Sequence, residues 1–150
     1  QGKTTALRLL LGLEQPQRGA VIRPERTRFS VVFQEDRLLP WKTTLENAAL
    51  TGSTEDARCR LTELGLGDSL DALPETLSGG MRRRAALARA LAHPFDVLVL
   101  DEALTGLDDA AKARCLAAID RAVGPRKTLV MACHDPAEAA ALAARTIPVA

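Results

Sequence analysis

One stretch, residues 77–103, constrains the fold more than any other part of the chain. It begins with a serine and two glycines, continues with apolar residues three and four positions apart, and ends in an apolar run followed by two carboxylates. The spacing predicts an amphipathic helix, and the apolar run 97–100 predicts a parallel strand covered on both faces. Asp101 and Glu102 would then lie at the carboxyl end of that strand, where open α/β sheets bind ligands.

The start of this stretch predicts half of a phosphate site. Ser78, Gly79 and Gly80 precede the helix, where unpaired backbone N–H groups and the positive end of the helix dipole favour an anion. Three arginines follow at 82–84. We interpret them as a solvated or interfacial face, with a nucleic-acid patch as the alternative.

Composition and charge limit the possible functions. With 150 residues, 47% of them hydrophobic, the chain can bury one sizeable core. Strand-like and helix-like segments alternate, which predicts one α/β unit. The formal net charge of +1 gives no overall field that would recruit nucleic acid or an acidic partner.

The cysteines and the two ends of the chain indicate its setting. Cys59, Cys115 and Cys133 are odd in number and match no metal spacing, so we expect reduced, cytosolic thiols. The sequence has no signal-peptide layout and no apolar run of the roughly 18 residues that a bilayer span requires. We expect the chain to be a fragment, because it lacks an initiator Met and stops inside the apolar run 147–150.

A second phosphate-binding element lies at the amino terminus. Gly2, Lys3 and Thr4 match the end of the phosphate-loop pattern, in which loop N–H groups hold phosphates, the lysine pairs their charge and the hydroxyl binds Mg²⁺. The first glycine of the pattern is absent, so these residues alone leave an ordinary helix start as an equal alternative. An apolar helix over 5–11 follows, and Gly12 can end it.

Between the two phosphate elements the pattern predicts strands and then helices. Residues 19–23 and 29–33 are strand-like runs, and Gln34 follows the second directly. Trp41 lies beside exposed loop residues and is either an interface anchor or folded back onto its own domain. The helical segments are predicted at 43–50 and 55–64, and they form an insertion together with 68–77.

The last third of the chain repeats the arrangement of a strand followed by a polar residue. Asp108 could cap a helix over 109–123. A second buried strand is predicted at 128–133, and His134 stands at its carboxyl end as Asp101 does on the first. A helix start is predicted directly after His134. Asp135 would be its N-cap, Pro136 would stand at the first helical position and Glu138 would complete a capping box.

In this order the motifs resemble those of the ATP-binding cassette (ABC) family, the nucleotide-binding subunits of membrane transporters. The ordered set is highly specific and covers nearly the whole chain. It consists of the end of the Walker A loop at 2–5, the Q-loop at 33–35, an LSGGQ-like signature at 77–81, the Walker B strand at 97–103, the D-loop at 106–108 and the switch histidine at 134–136.

The resemblance implies an α/β fold of the P-loop NTPase type, with a mostly parallel sheet flanked by helices and a helical insertion before the signature. It implies one ABC ATPase domain over 1–150, truncated at both ends, with a RecA-like core at 1–42 and 93–150 and a helical subdomain at 43–92. Met81 and Ala103 depart from the family's usual Gln and Pro. We expect activity to survive the first change and loop stiffness to respond to the second.

The cofactors that the resemblance implies are ATP and Mg²⁺. Gly2 and Lys3 would bind the phosphates, with the lysine at the β- and γ-phosphates, and Thr5 would touch the α-phosphate. Thr4 and Asp101 would hold Mg²⁺. The aromatic residue that stacks on adenine in the family has no counterpart here, and the missing amino-terminal piece would contain it.

The same resemblance implies a catalytic set. Glu102 would be the base that orients the attacking water, and His134 would contact the γ-phosphate. Gln34 would sense Mg²⁺ and the γ-phosphate and relay their state to the helical insertion. This division suits phosphoryl transfer, which depends on positioning and charge stabilisation.

In the family, the signature residues act on a second molecule. By resemblance, Ser78, Gly79 and Gly80 bind the ATP held by the other subunit of a head-to-tail dimer, and Asp108 communicates across it. Hydrolysis would therefore require a homodimer or a pair of cassettes.

Residues 34–41 are similar to the Q-loop region of importer subunits in the nitrate, sulfonate and taurine group. This similarity predicts an importer of a small anionic or organic solute. Leu38, Leu39 and Trp41, with the helical subdomain, would dock a permease at the cytoplasmic face of the membrane, and a solute-binding protein would complete the complex. No nucleic-acid partner is expected.

Two alternatives stay open at the level of sequence. The first is a soluble cassette protein that acts on ribosomes or DNA. The second is a non-catalytic module that has lost turnover through truncation or drift.

Overall fold

The computed structural model describes residues 2–142, and its framework is a parallel three-stranded sheet. The strands are β1 (Phe29–Val32), β2 (Val97–Asp101) and β3 (Thr128–Ala132), in the spatial order β1-β2-β3. In the register, Val99 lies between Val31 and Val130. The central strand is the predicted run 97–100 with one more residue, Asp101.

Both faces of the sheet are covered, as the apolar character of the central strand predicts. Side chains alternate along a strand, so Val99 packs on one face with Leu7, while Leu98 and Leu100 join the larger core on the other. All three strand residues are completely buried. The sheet therefore forms the middle layer of the fold.

Six α-helices in the described part of the chain surround or extend the sheet. The helix on the first face is α1, and α4 and α5 contribute to the core on the second face; α2, α3 and α4 form a helical group, and α6 follows β3. Their bounds are α1 Lys3–Leu11, α2 Thr44–Ala48, α3 Thr54–Glu63, α4 Gly79–Ala92, α5 Asp109–Val123 and α6 Pro136–Ala141, with short 3₁₀ turns at Gly67–Ser69, Pro74–Thr76 and Gly124–Arg126.

Small side chains allow the helical group to pack closely. Ala48, Ala57 and Ala88 are completely buried, as is Leu61. The turn between α2 and α3 comes so near the end of α4 that a Cβ on Gly52 would clash with the backbone oxygen of Ala92. Only glycine fits there without a backbone shift.

The helix starts follow capping rules. Thr43 and Glu46 form a capping box at α2, and the side chains of Ser53, Ser78 and Asp108 each accept a hydrogen bond from a backbone N–H in the first turn of their helices. The helix predicted at 109–123 has those bounds in the structure.

The strand expected at 19–23 was wrong. Residues 20–24 have no regular structure, and Ile22 is 94% exposed. The run has the residue types of a strand but pairs with no strand in the described part of the chain, and an isolated extended segment has no ladder to stabilise it.

The arginines at 82–84, interpreted from the sequence as a solvated or interfacial face, are half-buried and donate to backbone carbonyls. Arg83 donates to the carbonyl of Gln34 at 2.6 Å and forms an ion pair with Asp36 at 3.2 Å, and its side chain is only 17% exposed. Arg84 donates to the carbonyl of Leu64 at 2.8 Å. Guanidinium groups have several fixed donors, which suits them to loop carbonyls that lack a secondary-structure partner. The arginines therefore hold neighbouring loops to α4.

None of the helices between residues 2 and 142 is both long and apolar enough to cross a membrane.

Asn47 fixes the loop that carries Trp41. Its side-chain oxygen accepts the N–H of Leu39 at 2.7 Å, and its Nδ2 lies within 3.0 Å of the carbonyls of Leu39, Lys42 and Thr43. Asn47 is completely buried, so water cannot replace these bonds. The exposed loop above it is therefore held from below by one amide.

We predict that Asn47→Ala destabilises the full-length protein by about 1–3 kcal/mol, because it leaves buried backbone groups without partners. Asn47→Asp should cost at least as much at neutral pH, since a carboxylate oxygen would face three carbonyls. Urea unfolding followed by circular dichroism measures both, with Gln17→Ala as the control for an exposed amide. Equal stability of the Asn47 and Gln17 variants would contradict this account of the loop.

Candidate functional site

The amino-terminal residues place a lysine at the carboxyl edge of the sheet. Gly2 adopts a left-handed conformation, φ 91°, immediately before α1, which glycine allows without strain. Lys3 Nζ donates to the carbonyl of Cys133 at 2.9 Å and lies 3.3 Å from His134 Nδ1. Among residues 2–142 no carboxylate is within ion-pair distance of Lys3, so its charge is available to an anion.

A hydroxyl and a carboxylate lie together beside this lysine. Thr4 Oγ1 donates to Asp101 Oδ1 at 3.2 Å, and Asp101 is 4% exposed at the end of β2. Both are hard oxygen ligands of the kind Mg²⁺ prefers. No group of three or more His, Cys, Asp or Glu in the described chain could hold a metal. A Mg²⁺ ion here would take its other ligands from water and phosphate, which is its usual behaviour.

Glu102 and His134 form the chemical centre of the edge. His134 Nε2 and Glu102 Oε1 are 2.6 Å apart, and the side chains are 70% and 20% exposed respectively. With Nε2 as the donor, the carboxylate is held in one orientation and keeps its other oxygen free. The arrangement can position a water and accept or share its proton.

The backbone of Glu102 is strained. Its φ is 52°, a left-handed conformation that costs a non-glycine residue about 1 kcal/mol or more. Two hydrogen bonds hold it there: its N–H donates to the carbonyl of Ala132 at 2.9 Å, and its carbonyl accepts from Thr105 at 3.2 Å. The left-handed conformation of Glu102 turns the chain away from β2 directly after Asp101. The carboxylates of Asp101 and Glu102 therefore have different surroundings.

The cysteine at this edge contributes its backbone. Burial raises the pKa of the Cys133 thiol, and the nearby carboxylate of Glu138 raises it further. Burial also raises the pKa of Cys115 to about 11. Cys133 therefore remains a neutral thiol at neutral pH and serves the site through the carbonyl that holds Lys3.

The signature residues lie elsewhere. Ser78 Oγ accepts the N–H of Met81 at 3.2 Å, and the exposed Gly79 opens α4. A Cβ on Gly80 would lie 3.4 Å from Leu107, so this turn adjoins the 105–108 turn. We call the residues at the sheet edge the Lys3 cluster: Lys3, Thr4, Asp101, Glu102 and His134. Within residues 2–142, no hydrogen bond or ion pair joins Ser78–Gly80 to this cluster. The two predicted phosphate elements therefore make no direct polar contact with each other in the described part of the chain.

Three other predicted site residues stand apart from the Lys3 cluster. Asp108 Oδ1 accepts the N–H of Ala111 at 2.8 Å, which makes it the cap of α5. The side chains of Gln34 and Thr5 are exposed and make no hydrogen bond within the described chain. Gln34 is held only through its carbonyl, by Arg83.

The capping box predicted for Glu138 was wrong. Asp135 does cap α6, since its Oδ1 accepts the N–H of Ala137 at 2.9 Å. Glu138 instead turns away to Lys112, with Oε1 and Nζ 3.0 Å apart. Sequence reasoning missed Lys112, although a lysine near the amino-terminal end of a helix, where the dipole disfavours a cation, was a usable signal.

The chain is similar in sequence to a known family. The sequence model of the ABC transporter family matches residues 1–105. The chain is similar to the aliphatic sulfonates import ATP-binding protein SsuB 1 of Burkholderia cenocepacia (strain HI2424), with 43% identity over 97% of this chain and 48% of the relative. The protein of the same name from Mesorhizobium japonicum is 41% identical over 99% of this chain and 61% of its own length. The chain spans about half the length of the curated relatives it matches.

Solved structures agree in fold. One, described as the dimeric structure of MJ0796, a bacterial ABC transporter cassette, superimposes with a TM-score of 0.80 at 25% identity, over 93% of this chain and 73% of that one. A second, a dimeric post-hydrolysis state of the same cassette bound to ADP and Pi, gives a TM-score of 0.77 at 27% identity with the same coverage. The predicted P-loop NTPase-like α/β fold is confirmed.

The strained backbone gives a prediction about stability. Glu102→Gly and Glu102→Gln both remove the carboxylate, but only glycine relieves the left-handed conformation. We expect the Gly variant of the full-length protein to be more stable than the Gln variant by about 1 kcal/mol. Chemical denaturation compares them directly, and a Gln variant as stable as the Gly variant would show that the strain is absent.

Proposed function

The chain belongs to the ABC transporter family, and we propose that it is the part of an ATP-binding and hydrolysing subunit that powers an importer. The observation that carries this proposal is the meeting of Lys3, Thr4–Asp101 and Glu102–His134 at one edge of the sheet. The names of its relatives, which are import ATP-binding proteins, support the direction of transport.

The donor set fits ATP with Mg²⁺. Lys3 supplies an unpaired charge for the phosphates, and Gly2 lets the backbone approach them closely. Thr4 and Asp101 would hold the metal, and Gln34 would reach it from the end of β1. Thr5, exposed on the first turn of α1, would touch the α-phosphate. Bound ATP supplies the phosphoryl group that is transferred to water.

In our proposal Glu102 and His134 orient the attacking water. Glu102 accepts the proton or aligns the water through its free carboxylate oxygen, and His134 fixes the other oxygen. His134 is 70% exposed, so one face of its ring is open to the γ-phosphate. Lys3 lies 3.3 Å from that ring and keeps positive charge at the same point. These contributions are positioning and charge stabilisation, the main needs of phosphoryl transfer.

We propose that Ser78, Gly79 and Gly80 serve the ATP of a second subunit. Among residues 2–142 they make no hydrogen bond or ion pair with the Lys3 cluster, and the turn ahead of α4 is exposed at Ser78 and Gly79. The similar cassettes of known structure are described as dimeric. Asp108 lies in the turn beside Gly80 and would transmit the partner's state through α5.

The loop containing Trp41 would dock the membrane partner. Trp41 is 71% exposed, and Leu38 packs against the core beneath it. Asn47 makes the loop rigid, so little conformational entropy would be lost on binding. We propose that the chain divides into a core at 1–42 and 93–150 and a helical subdomain at 43–92. In this proposal the Trp41 loop and the helical subdomain bind a permease at the cytoplasmic face of the membrane.

The names of the relatives indicate a class of solute. Two relatives are named for the import of aliphatic sulfonates, and we propose a small anionic or organic solute of that kind, delivered by a solute-binding protein. In this proposal the permease and the solute-binding protein, rather than this chain, select the solute.

The alternatives are less well supported. The net charge of +1 does not favour a ribosome- or DNA-binding role, and Arg83 and Arg84 of the arginine cluster are engaged with loop carbonyls. A module that has drifted out of catalysis would not need to keep the Glu102–His134 contact.

The first test is Glu102→Gln in the full-length protein. We expect ATP hydrolysis to fall about 100-fold or more, because general-base catalysis is lost, while Mg²⁺–ATP binding is retained. Phosphate release and equilibrium ATP binding measure the two effects. Glu75→Gln, an exposed carboxylate, is the control. Undiminished hydrolysis by the Glu102 variant would show that another group is the base.

The second test concerns the composite site. In the Glu102→Gln background, ATP should drive full-length chains into dimers that light scattering detects. Adding Ser78→Glu should weaken this dimerisation about 10-fold or more, because a carboxylate would face the partner's phosphates. Thr54→Glu, exposed at the start of α3, is the matched control. Equal dimerisation of both variants would contradict the assignment of the signature residues.

A further inference from the structure

We propose that Lys112 is a positioning residue that keeps His134 within reach of Glu102 by holding the start of α6. The inference rests on the proposed ATPase function for its kinetic consequences, but its structural core can be tested without them.

The short helix that follows His134 depends on contacts with the rest of the protein for its position. α6 contains only six residues, Pro136–Ala141, and helices of this length are not stable in water on their own. Its one buried residue is a carboxylate, Glu138, which is 7% exposed. Burial of an unpaired carboxylate is unfavourable. The docking of α6 therefore depends on the partner of Glu138.

That partner is Lys112. Its Nζ lies 3.0 Å from Glu138 Oε1 and 3.6 Å from Asp135 Oδ2, and its side chain is 26% exposed. The hydrogen bond with Glu138 is the largest of the effects that raise the pKa of Lys112, so the ammonium group stays charged at neutral pH. One cation thus contacts both the cap of α6 and its buried residue.

Lys112 is carried by a helix that is packed firmly into the core. It lies in the first turns of α5, where its N–H donates to the carbonyl of Asp108 at 2.8 Å. On the same helix Cys115 and Ile119 are completely buried in the main core. The lysine is therefore presented by a helix that cannot move without disturbing the core.

His134 lies between two anchors. On one side, β3 ends at Ala132, and Cys133 is held by Lys3. On the other side, Asp135 is held by Lys112. If Lys112 were neutral, Glu138 would be a buried charge without compensation, and the start of α6 would move toward water. His134, one residue from Asp135, would move with it and lose its 2.6 Å contact with Glu102.

The test uses Lys112→Gln in the full-length protein, with Lys42→Gln as the matched control. Lys42 also lies near a glutamate, 3.9 Å from Glu46, and is 34% exposed, but it has no contact with the site. The first readout is the pair of ring resonances of His134, assigned with a His134→Gln variant and followed by NMR. We expect Lys112→Gln to shift the His134 resonances and leave those of His93 in place, and Lys42→Gln to shift neither.

The second readout is kinetic. Lys112→Gln should lower kcat about 10- to 100-fold with little change in KM, as expected when a catalytic group is misplaced while substrate contacts persist. Lys112→Arg should restore most of the rate. Lys112→Gln combined with Glu138→Gln should be no slower than Lys112→Gln alone, because the two residues act through one contact.

The outcomes separate positioning from folding and from the proposed function. Unshifted His134 resonances in Lys112→Gln overturn the inference, as does a rate within twofold of wild type. If Lys112→Gln shifts the His134 resonances but the wild-type protein has no ATPase activity, the positioning of His134 is supported and the proposed function is overturned. If Lys112→Gln does not fold, the NMR comparison is made on two other variants. We expect Lys112→Arg to leave the His134 resonances near their wild-type positions and Glu138→Gln to shift them. Unshifted resonances in Glu138→Gln overturn the inference.

Discussion

Parallel pairing of β2 with β1 and β3 is the interaction on which the rest of the molecule depends. Parallel strands end at the same edge, so residues far apart in sequence meet there without any direct attraction. The pairing of Asp101 with Ala132 brings the carboxylates of β2 next to the residues that follow β3. The complete burial of Leu98, Val99 and Leu100 fixes this pairing, and the geometry of the edge follows from it.

The helix α4 joins two other parts of the molecule. It begins at the signature glycines and packs with α2 and α3. Arg83 contacts the backbone beside Gln34, and Arg89 donates to the carbonyl of Arg37 at 2.8 Å and of Asp36 at 3.0 Å. One rigid element therefore joins the surface proposed for a second subunit to the loop proposed for the membrane partner.

The order of strands, helices and site motifs was predictable because it depends on local patterns. The apolar run before Asp101 and the cap at Asp108 are examples, and each is decided within a few residues. What was not predictable depends on partners distant in sequence. Residues 19–23 have the composition of a strand, but none of the strands among residues 2–142 pairs with them. The arginines at 82–84 bond to backbone carbonyls outside their own helix turn, such as those of Leu77, Gln34 and Leu64. Glu138 forms an ion pair with Lys112, 26 residues away in sequence, instead of the predicted capping box with Asp135.

The exposed indole of Trp41 has a practical consequence. Trp41 is the single tryptophan among these 150 residues and is 71% open to solvent, on a loop that Asn47 holds from beneath. An indole in water emits at longer wavelength than one in an apolar surrounding. The loop thus carries an intrinsic optical reporter, whose emission responds to whatever covers that surface while the distant sheet edge contributes no tryptophan signal of its own.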